Sequence, residues 1–296
     1  MAGLLWTADE SECERLFTQP SPLSLRQLAP LRTHANDSLT MLQAALPLAG
    51  AVDFASYDLN APAVRLTGAR IMRLFTNIVA EHDSLTSTHL ALQARWAPKK
   101  DAVADVIRTV LVLCADHELN VSAFAARCAA SAGATPYDVV SAALATFKGY
   151  KHGGAAEQVL AMFAEMDTPR AARGLVANRL RRGERSPGFG HRLYPTGDPR
   201  AVQLLRLAET SGNEAEWQRV RGLMKTGSEL QHDLPNLDFG LAAVTRVYGL
   251  PDQAPALLFA LGRTIGWIAH AIEEYASGQL IRPRARYTGP APQGVL

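Results

Sequence analysis

The stretch that most restricts what this chain can become is its last long helical run, from about residue 255 to 276, which Gly278 stops. It is apolar on nearly every side. A helix without a polar face has to be enclosed by other elements, so it calls for a body of several helices wrapped around it. One residue breaks the pattern: Arg263 lies inside the run, where a guanidinium must be paired or reach water along its own stem.

The rest of the chain supplies the wrapping. A short helix-like piece at 4–17 is followed by Gln19-Pro20-Ser21-Pro22, a linker signature. Apolar residues then recur at helical spacing over 25–31, 37–48, 63–82 and 102–115. Segment 84–100 reads as mixed and polar, and its end, Trp96-Ala97-Pro98-Lys99-Lys100, as a solvated turn. Ser122 caps a helix over 123–131, and Thr135 with Pro136 opens another to about 148. Further helices are expected at 155–166, 169–182, 199–211, 214–226 and 238–248. There is no alternating strand pattern and no internal repeat, so the expected class is all-α.

With 296 residues and 48% hydrophobic content the chain can bury a sizeable core as one large or two ordinary domains. A net charge of +2 gives no case for nucleic acid or an acidic membrane surface as partner. Cys13, Cys114 and Cys128 have no metal-type spacing, and the latter two fall in apolar helical runs, so reduced buried thiols and no metal site are expected. No apolar run reads as an uninterrupted membrane span. Asp9, Glu10, Glu12 and Glu14 stand where a signal peptide is basic and then apolar, which sets the expectation of a cytoplasmic protein. Leu4-Leu5-Trp6 opens an apolar face at once, as if the chain began inside an element whose upstream part is absent or supplied by another chain.

Three short segments place a titratable residue on a Pro/Gly-bounded turn between helices: His152 in Lys151-His152-Gly153-Gly154, His191 with Arg192 in Pro187-Gly188-Phe189-Gly190-His191-Arg192, and Asp238 in Pro235-Asn236-Leu237-Asp238-Phe239. Turns held by a rigid helical scaffold are common places for reactive groups. His117 lies at a helix end, and Arg282 between Ile281 and Pro283. Taken singly, each has a plain structural explanation: a glycine turn, a cap, a hydrogen-bonded histidine, a locally paired arginine. Taken together they supply one chemistry. A carboxylate can remove a proton beside a thioester carbonyl, a neutral histidine can stabilise the enol, and a second histidine can polarise the ketone that the enol attacks. At a helix N-terminus His152 would be kept neutral by the helix dipole. Arginines without acidic neighbours suit a ligand bearing carboxylates.

These segments resemble the citrate synthase family. The resemblance is carried by His117-Glu118-Leu119-Asn120-Val121-Ser122, Lys151-His152-Gly153-Gly154-Ala155, Pro187 to Tyr194, Asp198-Pro199-Arg200-Ala201, Pro235 to Phe239, Arg263-Thr264-Ile265-Gly266-Trp267 and Ile281-Arg282-Pro283-Arg284-Ala285, in the family's order and over about two thirds of the chain. It implies an all-α dimer with a large domain, here 1–153 and 250–296, and a small one, 154–249, closing over the substrates. It also implies condensation of acetyl-CoA with oxaloacetate, with coenzyme A thioester as substrate and no tightly bound cofactor. Carried over by position, His152 would hold the thioester oxygen, Asp238 would be the base and His191 would polarise the keto group. His117, Arg192 and Arg263 would bind the oxaloacetate carboxylates. Arg282 would be lent to the neighbouring subunit, and Pro187, Gly188, Phe189 and Gly190 would pass close to coenzyme A.

The chain departs from the family in several places. Pro195 and His232 stand where lysines are common, Ala156 replaces the usual Asn, and the chain starts late, as in a short, divergent bacterial branch. The thinner basic lining leaves two other readings open. One is a relative using propionyl-CoA (2-methylcitrate synthase) or running citryl-CoA cleavage. The other is a non-catalytic or partner-dependent subunit that pairs with a longer paralogue.

Overall fold

The computed structural model describes residues 1–7, 10–35 and 37–290, so Asp9 and the last six residues of the tail lie outside the described residues. Among the described residues there are fifteen α-helices and no strand; the one sheet-like feature is an isolated antiparallel bridge between Phe189 and Pro235. The protein is all-α.

The helix Ala254–Ser277 is the core element that its sequence demands. It packs against Ala61–Ala80, Ala102–Cys114, Val121–Ser131 and Pro136–Phe147, and every residue from Ala254 to Thr264 is buried. By length and hydropathy it could cross a membrane, contrary to the reading of the sequence, but 83% of its most apolar window is covered by the rest of the protein. Gly266 shows how close the wrapping is: a Cβ there would stand 2.4 Å from the Ala115 carbonyl oxygen. A side chain would push the end of Ala102–Cys114, and the residues after it, off the core.

Local chemistry sets the helix starts around this core. Asn60, Asn120 and Thr135 each accept a backbone N–H in the first turn of the helix they precede, and proline stands in the first turn of Ala61–Ala80 and Pro136–Phe147, where its missing donor costs nothing. A second group, Ala155–Ala164, Ala171–Arg181, Pro199–Glu209, Glu214–Gln231 and Leu237–Tyr248, packs mostly within itself. Its aromatic centre is Phe239, with the rings of Phe163 and Phe189 at 5.7 and 5.1 Å.

Several boundaries differ from the sequence reading. Segment 84–100 contains a helix, Thr88–Trp96, which polar composition hid. Two helices, Ala2–Trp6 and Glu10–Leu16, occupy the piece read as one. Ser38–Val52 runs through Pro47, and Glu214–Gln231 continues to an αL residue, His232. In each long case tertiary packing carries the helix past a local stop signal. Cys114 is buried and free, while Cys128 is free and half-buried.

Candidate active site

Where the two groups of helices meet there is a cleft of about 210 Å³ that opens to solvent. His117, His152, His191, Arg200, Asp238 and Arg263 all line it.

His152 sits in the tight turn after Pro136–Phe147. The Gly153 N–H donates to the Phe147 carbonyl at 2.8 Å, and a Cβ at Gly153 would come within 2.5 Å of that oxygen and 2.6 Å of the Phe147 ring. Only glycine lets the turn close so tightly, and this delivers the imidazole edge-on to Phe147 and Phe259, with ring centroids at 5.2 and 5.6 Å. Burial, helped by the charge of Arg263, pushes the His152 pKa down to about 4. The neutral form expected from the sequence is therefore present, but its cause is desolvation; the helix Ala155–Ala164 begins beyond Gly154. His152 Nε2 lies 2.9 Å from Ser122 Oγ, which is fully buried, donates to Asn120 Oδ1 at 2.9 Å and accepts from Trp267 Nε1 at 3.3 Å. If that single hydroxyl proton turns from Asn120 to His152 Nε2, the Nδ1–H of a neutral His152 is left as a donor.

Asp238 stands in the first turn of Leu237–Tyr248, which Asn236 caps by accepting the N–H groups of Asp238 and Phe239 at 3.1 and 3.3 Å. Desolvation in the cleft pushes its pKa up to about 6; Arg200 pulls it back down and Asp198 pushes it up. Asp198 shows the opposite balance. Burial alone would raise it, but it is the acceptor for Arg200 Nε at 3.0 Å, Arg200 Nη2 at 2.8 Å, the Arg200 N–H at 3.0 Å and the Leu237 N–H at 3.0 Å, and these hold it below the usual carboxylate range.

His191 accepts the Leu193 N–H on Nδ1 at 3.2 Å. The Arg200 Nη2 lies 3.4 Å from the His191 Nε2. His117 Nε2 is 2.7 Å from the Tyr194 hydroxyl, and its ring lies 6.4 Å from that of His191. Burial, then the Arg200 charge, lowers the His117 pKa. Arg263, 1% exposed, donates Nε to the Cys114 carbonyl at 2.8 Å, and its buried Nη1 has no partner. A buried guanidinium nitrogen left bare beside a polar cleft marks a place for an anionic ligand.

The sequence-level description of the citrate synthase C-terminal domain matches residues 26–284 of this chain. The chain belongs to the citrate synthase family. "Citrate synthase 2" of Bacillus subtilis is 37% identical over 196 residues, 64% of this chain and 52% of that protein. The citrate synthase of Saccharolobus solfataricus is 37% identical over 222 residues, 71% of this chain and 58% of that protein. The family member described here thus spans about half the length of the curated relatives it matches. A citrate synthase structure from Thermoplasma acidophilum, in ternary complex with carboxymethyl coenzyme A and oxaloacetate, superimposes with a TM-score of 0.84 at 27% identity, covering 100% of this chain and 86% of that one.

Within this family member the cleft brings together His117, His152, His191, Asp238 and Arg263 from five separate segments. It does not bring in Arg192, which is exposed and outside the lining. The arginine that the sequence reading passed over is Arg200. It was quoted within Asp198-Pro199-Arg200-Ala201 without a role, yet it is 8% exposed and lies beside His191. The available signal was an aspartate N-cap two residues before it, which can anchor a guanidinium that its helix would otherwise send to solvent. In the Pro187 to Gly190 turn, the Gly190 N–H donates to the Leu234 carbonyl at 2.8 Å and the Gly188 carbonyl accepts the Asn236 N–H at 2.9 Å, so these backbone groups tie the turn to the start of Leu237–Tyr248. Arg282 is exposed in the tail and lies outside this chain's own cleft.

Proposed function

We propose that this protein condenses an acyl-CoA, acetyl-CoA in the first instance, with oxaloacetate to give citrate and free coenzyme A. The observation that supports this reading best is the pairing, in one cleft, of a carboxylate held near pH 6 with an imidazole kept neutral down to about pH 4. Those are the states needed to enolise a thioester at neutral pH. Asp238 takes a proton from the acetyl methyl carbon while His152 N–H donates to the thioester oxygen. The enol carbon then forms a carbon–carbon bond to the keto carbon of oxaloacetate, whose oxygen receives a hydrogen bond from the His191 ring. Water hydrolyses the resulting thioester, releasing the thiol. His117, Arg200 and Arg263 hold the dicarboxylate. Pro187, Gly188, Phe189 and Gly190 run beside the coenzyme, and the helices of 154–249 close on the remainder to exclude water. The bound ligands named for the Thermoplasma acidophilum structure, carboxymethyl coenzyme A and oxaloacetate, support this substrate pair. The working form in this reading is a cytoplasmic homodimer in which Arg282 of each chain reaches the other's cleft; pairing with a longer paralogue would serve the same end.

A second reading has one specific support. A Bacillus subtilis relative 36% identical over 188 residues is named citrate/2-methylcitrate synthase, and alanines 155, 156 and 256 are among the small residues that line the cleft. A likeness to a citryl-CoA lyase from Hydrogenobacter thermophilus, TM-score 0.60, favours testing the reverse direction as well. The deciding assay is thiol release from acetyl-CoA and from propionyl-CoA, with and without oxaloacetate. Oxaloacetate-dependent release that disappears in Asp238→Asn is the expected result. Absence of release with either thioester from a dimeric preparation would overturn the catalytic reading.

A further inference from the structure

A second cavity, of about 510 Å³, shares no lining residue with the cleft. It lies between the N-terminal helices, Ala61–Ala80, Ala102–Cys114 and Ala254–Ser277, and Phe17, Met72, Leu85, Leu111, Leu261 and Ile265 give it an apolar wall. In that wall stands Arg73, 4% exposed. Its Nη1 donates to the carbonyls of Ser84 and Thr86 at 3.0 and 2.6 Å and its Nη2 to that of Phe17 at 3.0 Å, while the buried Nε–H has no partner. Among the described residues no carboxylate lies within ion-pair distance of it; Glu14, also at the cavity, is exposed and unpaired with Arg73.

Three carbonyls orient this guanidinium but do not neutralise it. A unit positive charge is therefore buried beside empty apolar space, an arrangement that a ligand with one negative charge and a hydrocarbon body would complete. A dianion such as phosphate would bring its second charge toward the Glu14 carboxylate at the same cavity, and a neutral hydrocarbon would leave the Arg73 cation uncompensated. His89 adds a neutral imidazole at the edge, since burial and the nearby Arg108 lower its pKa. An apolar cavity of about 150 Å³ is enough for benzene, so this space has room for a chain of about eight carbons.

We propose that the cavity binds a medium-chain aliphatic monocarboxylate, with the carboxylate at Arg73 and the tail along Leu111, Leu261 and Ile265. The test is titration calorimetry of the full chain with octanoate, below its micellar concentration, beside octan-1-ol as the uncharged match. Saturable binding at one site per chain is expected, with octanol at least about ten-fold weaker. Leu111→Trp enlarges one residue of the apolar wall and keeps Arg73 in place; it should abolish the octanoate heat, and saturating oxaloacetate should not displace octanoate. No saturable heat, equal affinity for octanol, unchanged binding in a folded Leu111→Trp protein, or displacement by oxaloacetate would each overturn the proposal.

Discussion

Two turns of the second helix group each place an aspartate at the start of a helix, and the two aspartates behave oppositely. Asp198, at the start of Pro199–Glu209, is the acceptor for four N–H donors and is held ionised. Asp238, at the start of Leu237–Tyr248, has no side-chain hydrogen bond or ion pair among the described residues and is pushed up to about 6. They are also linked, because the Leu237 N–H that Asp198 accepts immediately precedes Asp238. Desolvation pushes both up and so does not set the sign that separates them. The donors do. A buried carboxylate surrounded by donors is a structural anchor, and one without donors is left basic enough to take a proton from carbon.

The sharpest way to break this comparison is Asp238→Asn. Thiol release should fall by a factor of about 10³ or more, read in the oxaloacetate-dependent assay. The same substitution should stabilise the fold. The folded chain holds the Asp238 proton more tightly than the unfolded chain, where the group titrates near 3.8, so wild-type stability declines as pH rises from about 4 to about 6. The variant should gain about 2 to 3 kcal/mol in urea unfolding at pH 7 and nothing below pH 4. A loss of stability at pH 7 would show that Asp238 has a structural partner after all.

Asp198→Asn should do the reverse, costing about 3 kcal/mol by the same measurement, because it leaves Arg200 buried without its counter-charge. The pH profile sharpens the contrast further. The kcat/KM should drop about ten-fold per pH step below about 6 as Asp238 protonates, without a second limb from His152 until about 4. A midpoint near 4 would place Asp238 among the ordinary carboxylates. Finally, Arg200→Ala should raise the KM for oxaloacetate by about 30-fold or more, whereas Arg192→Ala should move it by less than about two-fold. Equal effects of the two would return Arg192 to the site.

Much of the scaffold could be read from the sequence, because periodicity reports burial directly. The run ending at Ala276 had to be enclosed, and the helix Ala254–Ser277 is. Thr88–Trp96 escaped because, of its apolar residues, only Leu92 is deeply buried. At the site, His117, His152, His191, Asp238 and Arg263 were marked by their turns or by their apolar surroundings. Arg200 was not, since it stands in a first helical turn and its one signal was the aspartate N-cap two residues earlier. The Asp238 pKa was equally hidden, because it depends on what does not touch the carboxylate.

The Trp267–Ser122–His152 chain of contacts has an optical consequence. The indole of Trp267 is fully buried and shares the Ser122 hydroxyl with His152. Any change in the hydrogen bonding of that imidazole, whether from a proton or from a thioester oxygen arriving on the other side of the ring, reorients the hydroxyl against which the indole N–H is polarised. In a chain whose other tryptophans, Trp6, Trp96 and Trp217, are replaced, the emission of Trp267 would therefore report the step at which an enol would form, without label or coupled assay.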